Sequence, residues 1–175
     1  MKQQIDAFDY AGHICKAMKK GILLTTKVGD KVNTMTIGWG KIGIEWNRPV
    51  FIAYVRETRY TKQMLEECGA FTVNIPLHDI DGQILTYCGK MSGRDTNKIS
   101  DMGLTLVESD VISVPGIQQL PLTLECKVIY KQKQELKCMP QTILNRFYPV
   151  IDESGFRDYH IAYYGEIVNA YLIQE

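Results

Sequence analysis

One stretch, Leu122 to Tyr130, constrains the fold more than any other part of the chain. Leu122, Leu124, Cys126, Val128 and Tyr130 alternate with Thr123, Glu125 and Lys127. A period of two places the apolar set on one face of a strand and the polar set on the other. Such a strand needs neighbours, and the chain supplies several. Residues 21–26 and 32–37 flank Gly29-Asp30, the punctuation of a hairpin. Residues 49–55 form a continuous apolar run, expected of a strand buried on both faces. Residues 71–75 form another strand, closed by Pro76. The strand at 161–173 carries Tyr163, Ile167 and Tyr171 on one face and Tyr164, Val168 and Leu172 on the other, so both faces are expected to be covered.

Helical spacing is confined to short segments. From Thr58 onward Tyr60, Met64, Leu65 and Cys68 share a face, and Gly69 stops the helix. A second helix is expected over 77–88, with Ile80, Ile84, Leu85 and Cys88 on one face. Residues 89–103 read as a loop with a helical turn at 96–100. Residues 134–158, with Pro140, Pro149 and Gly155, read as a long irregular excursion. Several strands without regular βαβ alternation predict a mainly β fold, an antiparallel barrel with peripheral helices. The 175 residues are read as a single domain spanning 1–175.

Composition excludes several function classes. Twenty basic residues balance twenty acidic ones, which argues against nucleic-acid binding. No window approaches the roughly 18 apolar residues of a membrane span. The first ten residues carry Asp6 and Asp9 and no continuous apolar stretch, so a cytoplasmic chain without a signal peptide is expected. Five cysteines at irregular spacing fit reduced thiols, and with no CxxC and three scattered histidines no metal site is expected.

Catalytic signatures are sparse. There is no GxSxG, no GxxxxGK[ST], no HExxH, and no GxGxxG opening a helix. Gly38-Trp39-Gly40 is either a bulge or strand end, or a place of ligand contact. Arg56-Glu-Thr-Arg-Tyr-Thr61 leaves a strand and enters a helix, where backbone N–H groups, two guanidinium groups and hydroxyls can converge. That set suits a phosphomonoester, and it equally suits an N-cap made by Thr58 or Thr61 with solvated arginines. Asn33-Thr-Met-Thr36 puts polar side chains in an apolar strand, to be satisfied by backbone, water or ligand, unless the strand is half exposed. His160, beside Asp158 and Tyr159, is either structural or functional.

Taken together, five groups of residues resemble the flavin reductase-like proteins of the FMN-binding split-barrel superfamily, in its flavoredoxin-type branch. They are residues 33–40, residues 48–61, residues 69–76, Cys88-Gly-Lys-Met-Ser-Gly-Arg-Asp95 with Lys98, and Leu124-Glu-Cys-Lys127 with residues 160–167. The resemblance implies a six-stranded antiparallel Greek-key split β-barrel binding FMN, assembled as a homodimer. It implies that the isoalloxazine ring lies along Met35, Thr36, Ile37 and Gly38, with the Thr36 hydroxyl at the ring edge. It implies that the phosphate is held by Arg56, Arg59 and Thr61, that Thr34, Val55 and Tyr60 also meet the cofactor, that a loop carrying Ser92 and Lys98 closes over it, and that His160 lies at a nicotinamide site. The implied activity is an NAD(P)H-dependent flavin reductase that passes hydride through flavin N5. Its electrons go to a small-molecule acceptor or a redox protein. An FMN-bound electron carrier, an oxidase-like relative and a non-enzymatic binding protein are the alternatives.

The two apolar faces of residues 161–173 call for more cover than one small barrel supplies, so a homodimer is expected. Light scattering at micromolar concentration is expected to give twice the chain mass; a monomer mass would remove this argument.

Overall fold

A computed structural model describes residues 1–174. Its main sheet follows the order β3-β2-β6-β9-β10-β5-β4, with β1 pairing to β10. The strands are β1 (Lys2–Gln4), β2 (Ile22–Val28), β3 (Lys31–Ile37), β4 (Gly40–Glu45), β5 (Arg48–Arg56), β6 (Ala70–Ile75), β9 (Leu122–Lys133) and β10 (His160–Ile173). A separate pair, β7 (Leu106–Val107) and β8 (Gly116–Ile117), lies between β6 and β9 in sequence. All ladders are antiparallel. The six expected strands are β2, β3, β5, β6, β9 and β10, and no ladder joins β3 to β5 among the described residues. That open seam makes this a split barrel, in Greek-key order. Two features add to it: β4 extends the edge beside β5, and β1 takes up the edge of β10 beyond the end of β5.

The core follows from strand parity. Phe51, Ala53 and Val55 of β5, Phe71, Val73 and Ile75 of β6, Leu122, Leu124 and Cys126 of β9, and Ile161 and Tyr163 of β10 fill the interior. Strand β10 is long because it bends around this core at two register shifts, between Tyr164 and Gly165 and between Ile167 and Asn169. Its outer residues Tyr164, Val168 and Leu172 are only half-buried within one chain. The outer residues of β5, Ile52 and Tyr54, are likewise half-buried, short of the two-sided burial expected for this run.

The helices are α1 (Ala11–Met18), α2 (Tyr60–Cys68), α3 (Gly82–Lys90), α4 (Lys98–Asp101) and α5 (Gln141–Phe147). Helix α2 stops at Gly69, whose φ of 63° is left-handed. Helix α3 starts five residues later than its apolar spacing predicts, because the Asp81 carboxylate accepts a hydrogen bond from the Gln83 N–H and caps it there. The 134–158 excursion is more ordered than expected. It contains a 3₁₀ turn, Leu136–Cys138, and α5, which places Ile143, Leu144 and Phe147 at helical spacing. Unpredicted β4 returns to β5 through Trp46 and Asn47, both at positive φ (50° and 58°) without a glycine. Trp46 is held there by edge contact with Tyr130, centroids 5.8 Å apart.

The polar face of β9 does not meet water. Thr123 and Glu125 are fully buried under the segment that carries β7 and β8. The Glu125 carboxylate accepts from the backbone N–H groups of Asp110 (2.9 Å), Val111 (2.8 Å) and Ile112 (3.0 Å), and from Asn169 Nδ2 (2.9 Å). One side chain thus ties down the tip of a segment whose later residues Val114 and Ile117 are themselves fully buried. Glu125→Ala takes the carboxylate from the buried Asn169 amide and from three part-buried N–H groups and is expected to lower stability by about 1–3 kcal/mol. Urea denaturation measures this; a loss below about 0.5 kcal/mol would show that the loop is held by other contacts.

Candidate functional site

The open side of the barrel, where β3 and β5 end, carries two adjoining hollows. The first, of about 190 Å³, is lined by Met35, Thr36, Ile37, Gly38 and Trp39 from the end of β3, Tyr54 and Arg56 from β5, and Arg59 and His160. The second, of about 200 Å³, is lined by Asn33 and Met35, by residues 58–61, by residues 91–94, and by Lys98 and Asp158. Met35 and Arg59 line both, so the hollows form one groove across β3.

Local structure explains who reaches this groove. His160 pairs with Arg56 in the β10–β5 ladder, so both side chains leave the same face. The Arg56 guanidinium donates to the carbonyls of Asp158 (2.6 Å) and Phe147 (3.0 Å) and stacks over the Tyr148 ring, 5.4 Å from its centroid. The Asp158 carboxylate accepts from the Thr58 N–H (3.1 Å) and hydroxyl (2.8 Å). Residue Arg59 precedes α2 and donates to the Gly89 carbonyl at 3.2 Å. Thr61 is buried and accepts from Asn33 Nδ2 at 3.0 Å. The other amide atom, Asn33 Oδ1, is buried without a partner and faces Gly93, where an added Cβ would lie 2.0 Å from it. Only glycine allows the 91–94 loop to approach β3 so closely.

Charge is distributed unevenly along the groove. Lys98 is only 5% exposed; its ammonium donates to the carbonyls of Thr34 (2.9 Å) and Cys88 (3.0 Å). Burial pushes its pKa down, the Cys88 thiol opposes this, and the Arg59 cation adds to it. His160 is also buried, with its pKa lowered to about 4, first by burial and then by the Arg56 cation, against the pull of Asp158. Its imidazole is therefore neutral at pH 7. The Trp39 ring lies 4.8 Å from it, centroid to centroid, and Phe147 meets Trp39 edge-on at 5.2 Å. Chemically, the second hollow offers cations and hydroxyls to an anion, while the first offers aromatic surface, strand backbone and a neutral histidine to a planar ring.

Most residues singled out in the sequence meet here, with corrections. Met35, Thr36, Ile37, Gly38, Arg56, Arg59, Tyr60, Thr61, Ser92, Lys98 and His160 all line the groove. Thr34 and Val55 do not. Val55 points into the main core, because alternate residues of a strand face opposite ways, while Thr34 lies on the other face of β3 from Met35, buried against Thr25 and bonded to the Leu24 carbonyl. Arg56 parts from Arg59 and Thr61: it lines the first hollow, not the second. The Thr36 hydroxyl donates to the Leu85 carbonyl at 2.6 Å and pins α3 to β3, so its proton is not free for a ring edge. The cap alternative also fails, since neither threonine caps α2: the N-cap is Arg59, without a side-chain bond. Gly38 and Trp39 join the end of β3 to the start of β4, so the glycine-flanked motif is a strand end, and both residues line the groove. Tyr148, whose hydroxyl lies 2.8 Å from His160 Nδ1, was not foreseen. The signal available for it was the Ile143, Leu144, Phe147 spacing that carries it to the end of a helix.

Known proteins share this fold. The model of the flavin reductase like domain matches residues 17–175. A protein of Archaeoglobus fulgidus is 32% identical over 100 residues, covering 57% of this chain and 55% of that protein. The match therefore spans little more than half of that relative's length. The solved structure of flavoredoxin from Desulfovibrio vulgaris (Miyazaki F) aligns with a TM-score of 0.66 at 22% identity, over 88% of this chain and 69% of that one. Flavoredoxin from Methanosarcina acetivorans gives 0.62 at 26% identity, over 88% and 68%.

The buried histidine makes a measurable demand on the fold. Its native pKa of about 4 lies below the ordinary value of 6.5, so the unfolded chain binds the proton more readily. The associated stability is complete above pH 6.5 and is lost as pH falls toward 4, by up to about 3 kcal/mol. Denaturation curves across this range are expected to show that loss in the wild type and a flatter profile in His160→Gln. Parallel profiles would mean that His160 takes up its proton in the native state.

Proposed function

The chain belongs to the flavin reductase like domain family, and from that premise we propose that it binds FMN in the groove and works as an NAD(P)H-dependent flavin reductase. Bound FMN supplies a two-electron centre that accepts hydride from a reduced nicotinamide and passes electrons to an acceptor. The observation that carries the reading is Lys98, a buried ammonium with two carbonyl acceptors and no ion-pair partner among the described residues. Burying a cation in this way is costly unless an anion compensates it. The hollow beside it is lined by two further cations, Arg59 and Arg94, and by the Thr61 and Ser92 hydroxyls. That donor set fits a phosphomonoester. Thr58 would contribute little, since Asp158 already holds its N–H and hydroxyl.

The remaining residues would orient the ring and its partner. The backbone of residues 35–38 borders the first hollow, and the half-exposed Trp39 with Tyr54 would shield it from water. Arg56, fixed by two carbonyls, keeps positive charge beside that hollow and would stabilise negative charge developing there. His160 would meet the nicotinamide. A homodimer, with acceptors that are small molecules or redox proteins, completes the reading.

A second reading, an FMN-bound electron carrier that does not use nicotinamide, is favoured by the likeness to two flavoredoxins. The absorbance spectrum of purified protein, before and after anaerobic NADH or NADPH, separates the two. Flavin bands bleached by either nucleotide are expected; bands that persist assign the carrier, and protein that takes up no FMN removes both readings. Arg59→Ala is expected to weaken FMN by about ten- to a hundred-fold, the loss of one charge-assisted hydrogen bond, and riboflavin far less. Equal losses in fluorescence titrations would place the phosphate elsewhere.

A further inference from the structure

We infer that Tyr148, brought in by the 134–158 excursion, is a positioning residue that fixes His160 as a hydrogen-bond acceptor toward the first hollow, so that this hollow selects a ligand group bearing an N–H or O–H donor. The inference rests on the proposed function only for the identity of that ligand, a nicotinamide carboxamide.

The argument starts from the phenol. Tyr148 is 2% exposed, and its hydroxyl has two neighbours, Gln134 Oε1 at 2.7 Å and His160 Nδ1 at 2.8 Å. A phenol has one proton to give. Donated to the Gln134 carbonyl oxygen, it leaves the phenol oxygen as acceptor, so His160 Nδ1 carries the hydrogen. Gln134 is itself held to the same strand end, its N–H donating to the His160 carbonyl at 3.1 Å. Nε2 is then the unprotonated nitrogen. His160 lines the first hollow, and with Nδ1 engaged Nε2 is the nitrogen left to meet a ligand.

The surroundings keep this arrangement neutral and rigid. The charged groups nearest the imidazole are Arg56, Arg59 and Asp158, and with burial their balance disfavours its protonation. Burial also raises the pKa of the Tyr148 phenol, so it stays protonated at pH 7. Its ring is clamped by the Arg56 guanidinium, and its carbonyl accepts from Arg157. A neutral acceptor of fixed orientation pairs with a carboxamide N–H₂ and rejects a carboxylate in the same place, which would set two lone pairs against each other.

Two variants and two readouts test this. The imidazole ¹⁵N shifts of His160 are measured on the chain without flavin or nucleotide at pH 7–8, so the tautomer is decided whether or not the reductase reading holds. Wild type is expected to show the Nδ1–H tautomer, and Tyr148→Phe a mixture or the Nε2–H form. In Gln134→Glu, whose carboxylate can only accept, the Nδ1–H tautomer is expected to persist. An Nε2–H tautomer in wild type, or its appearance in Gln134→Glu, would overturn the inference, as would an unchanged tautomer in Tyr148→Phe. With FMN-loaded protein, Tyr148→Phe is expected to raise the KM for the reducing nucleotide a few-fold to about tenfold, with FMN affinity unchanged. It should also narrow the preference for NADH over its analogue with a carboxylate in place of the carboxamide. An undiminished preference would show that His160 does not select the donor.

Discussion

The pairing of His160 with Arg56 across the β10–β5 ladder is the constraint on which the site depends. A slip of one residue would reverse the faces: Arg56 would enter the barrel and Val55 would take its place outside. The interior forbids this, because Phe51, Ala53, Val55, Ile161 and Tyr163 are all nearly or wholly buried on the inner side. The core therefore decides which polar groups face the groove without touching them. From that register the rest follows outward. Arg56 reaches the Asp158 and Phe147 carbonyls, so the last residue of the excursion before β10 and the end of α5 are tied to the end of β5.

How much of this is legible in the sequence depends on whether a local pattern is enough. Strands β2, β3, β6, β9 and β10 and helix α2 are readable because alternation, or a helical stripe ending at Gly69, records one buried face. Strand β4 is not, since Gly40 and Gly43 dilute its pattern and its turn uses Trp46 and Asn47 rather than glycine. Nor can alternation say what covers a face. Thr123 and Glu125 look solvent-facing until the 108–117 segment folds over them, a contact made by long-range bonds from Glu125. At the site, Arg59, Thr61, Ser92 and Lys98 were legible as a group, from donor chemistry joined to a family resemblance. The exclusion of Val55 was also available, since it stands between Tyr54 and Arg56 in one strand. The parting of Arg56 from Arg59 was not. It turns on one residue ending a strand and the other capping a helix, and on carbonyls supplied about 90 and 100 residues later.

The two arginines consequently do different work. Arg56 is held by two carbonyls and lies 4.0 Å from Asp158 Oδ2, so its charge is partly offset within the chain. Arg59 has one carbonyl partner, and Lys98 beside it has two and no carboxylate. Uncompensated charge thus collects at one end of the groove. Repulsion between Lys98 and Arg59, which already depresses the Lys98 pKa, is relieved when an anion enters the second hollow. Part of the cost of burying Lys98 is in this sense held in reserve for a ligand.

The other end is built on the opposite principle. Tyr148 closes over one side of His160 and Trp39 over another, with Phe147 against Trp39, so the imidazole loses water without gaining a carboxylate partner. A histidine in that position stays neutral, partly because two arginines stand near it. On the proposed reading, recognition there would rest on hydrogen-bond direction and ring contact, which salt screens little, and recognition at Lys98 and Arg59 on charge. A groove with one charged and one neutral end suits a ligand of the same polarity, an anionic tail on a flat uncharged ring. Because Met35 and Arg59 border both ends, the two modes of recognition meet within one residue of β3 and one of the turn before α2.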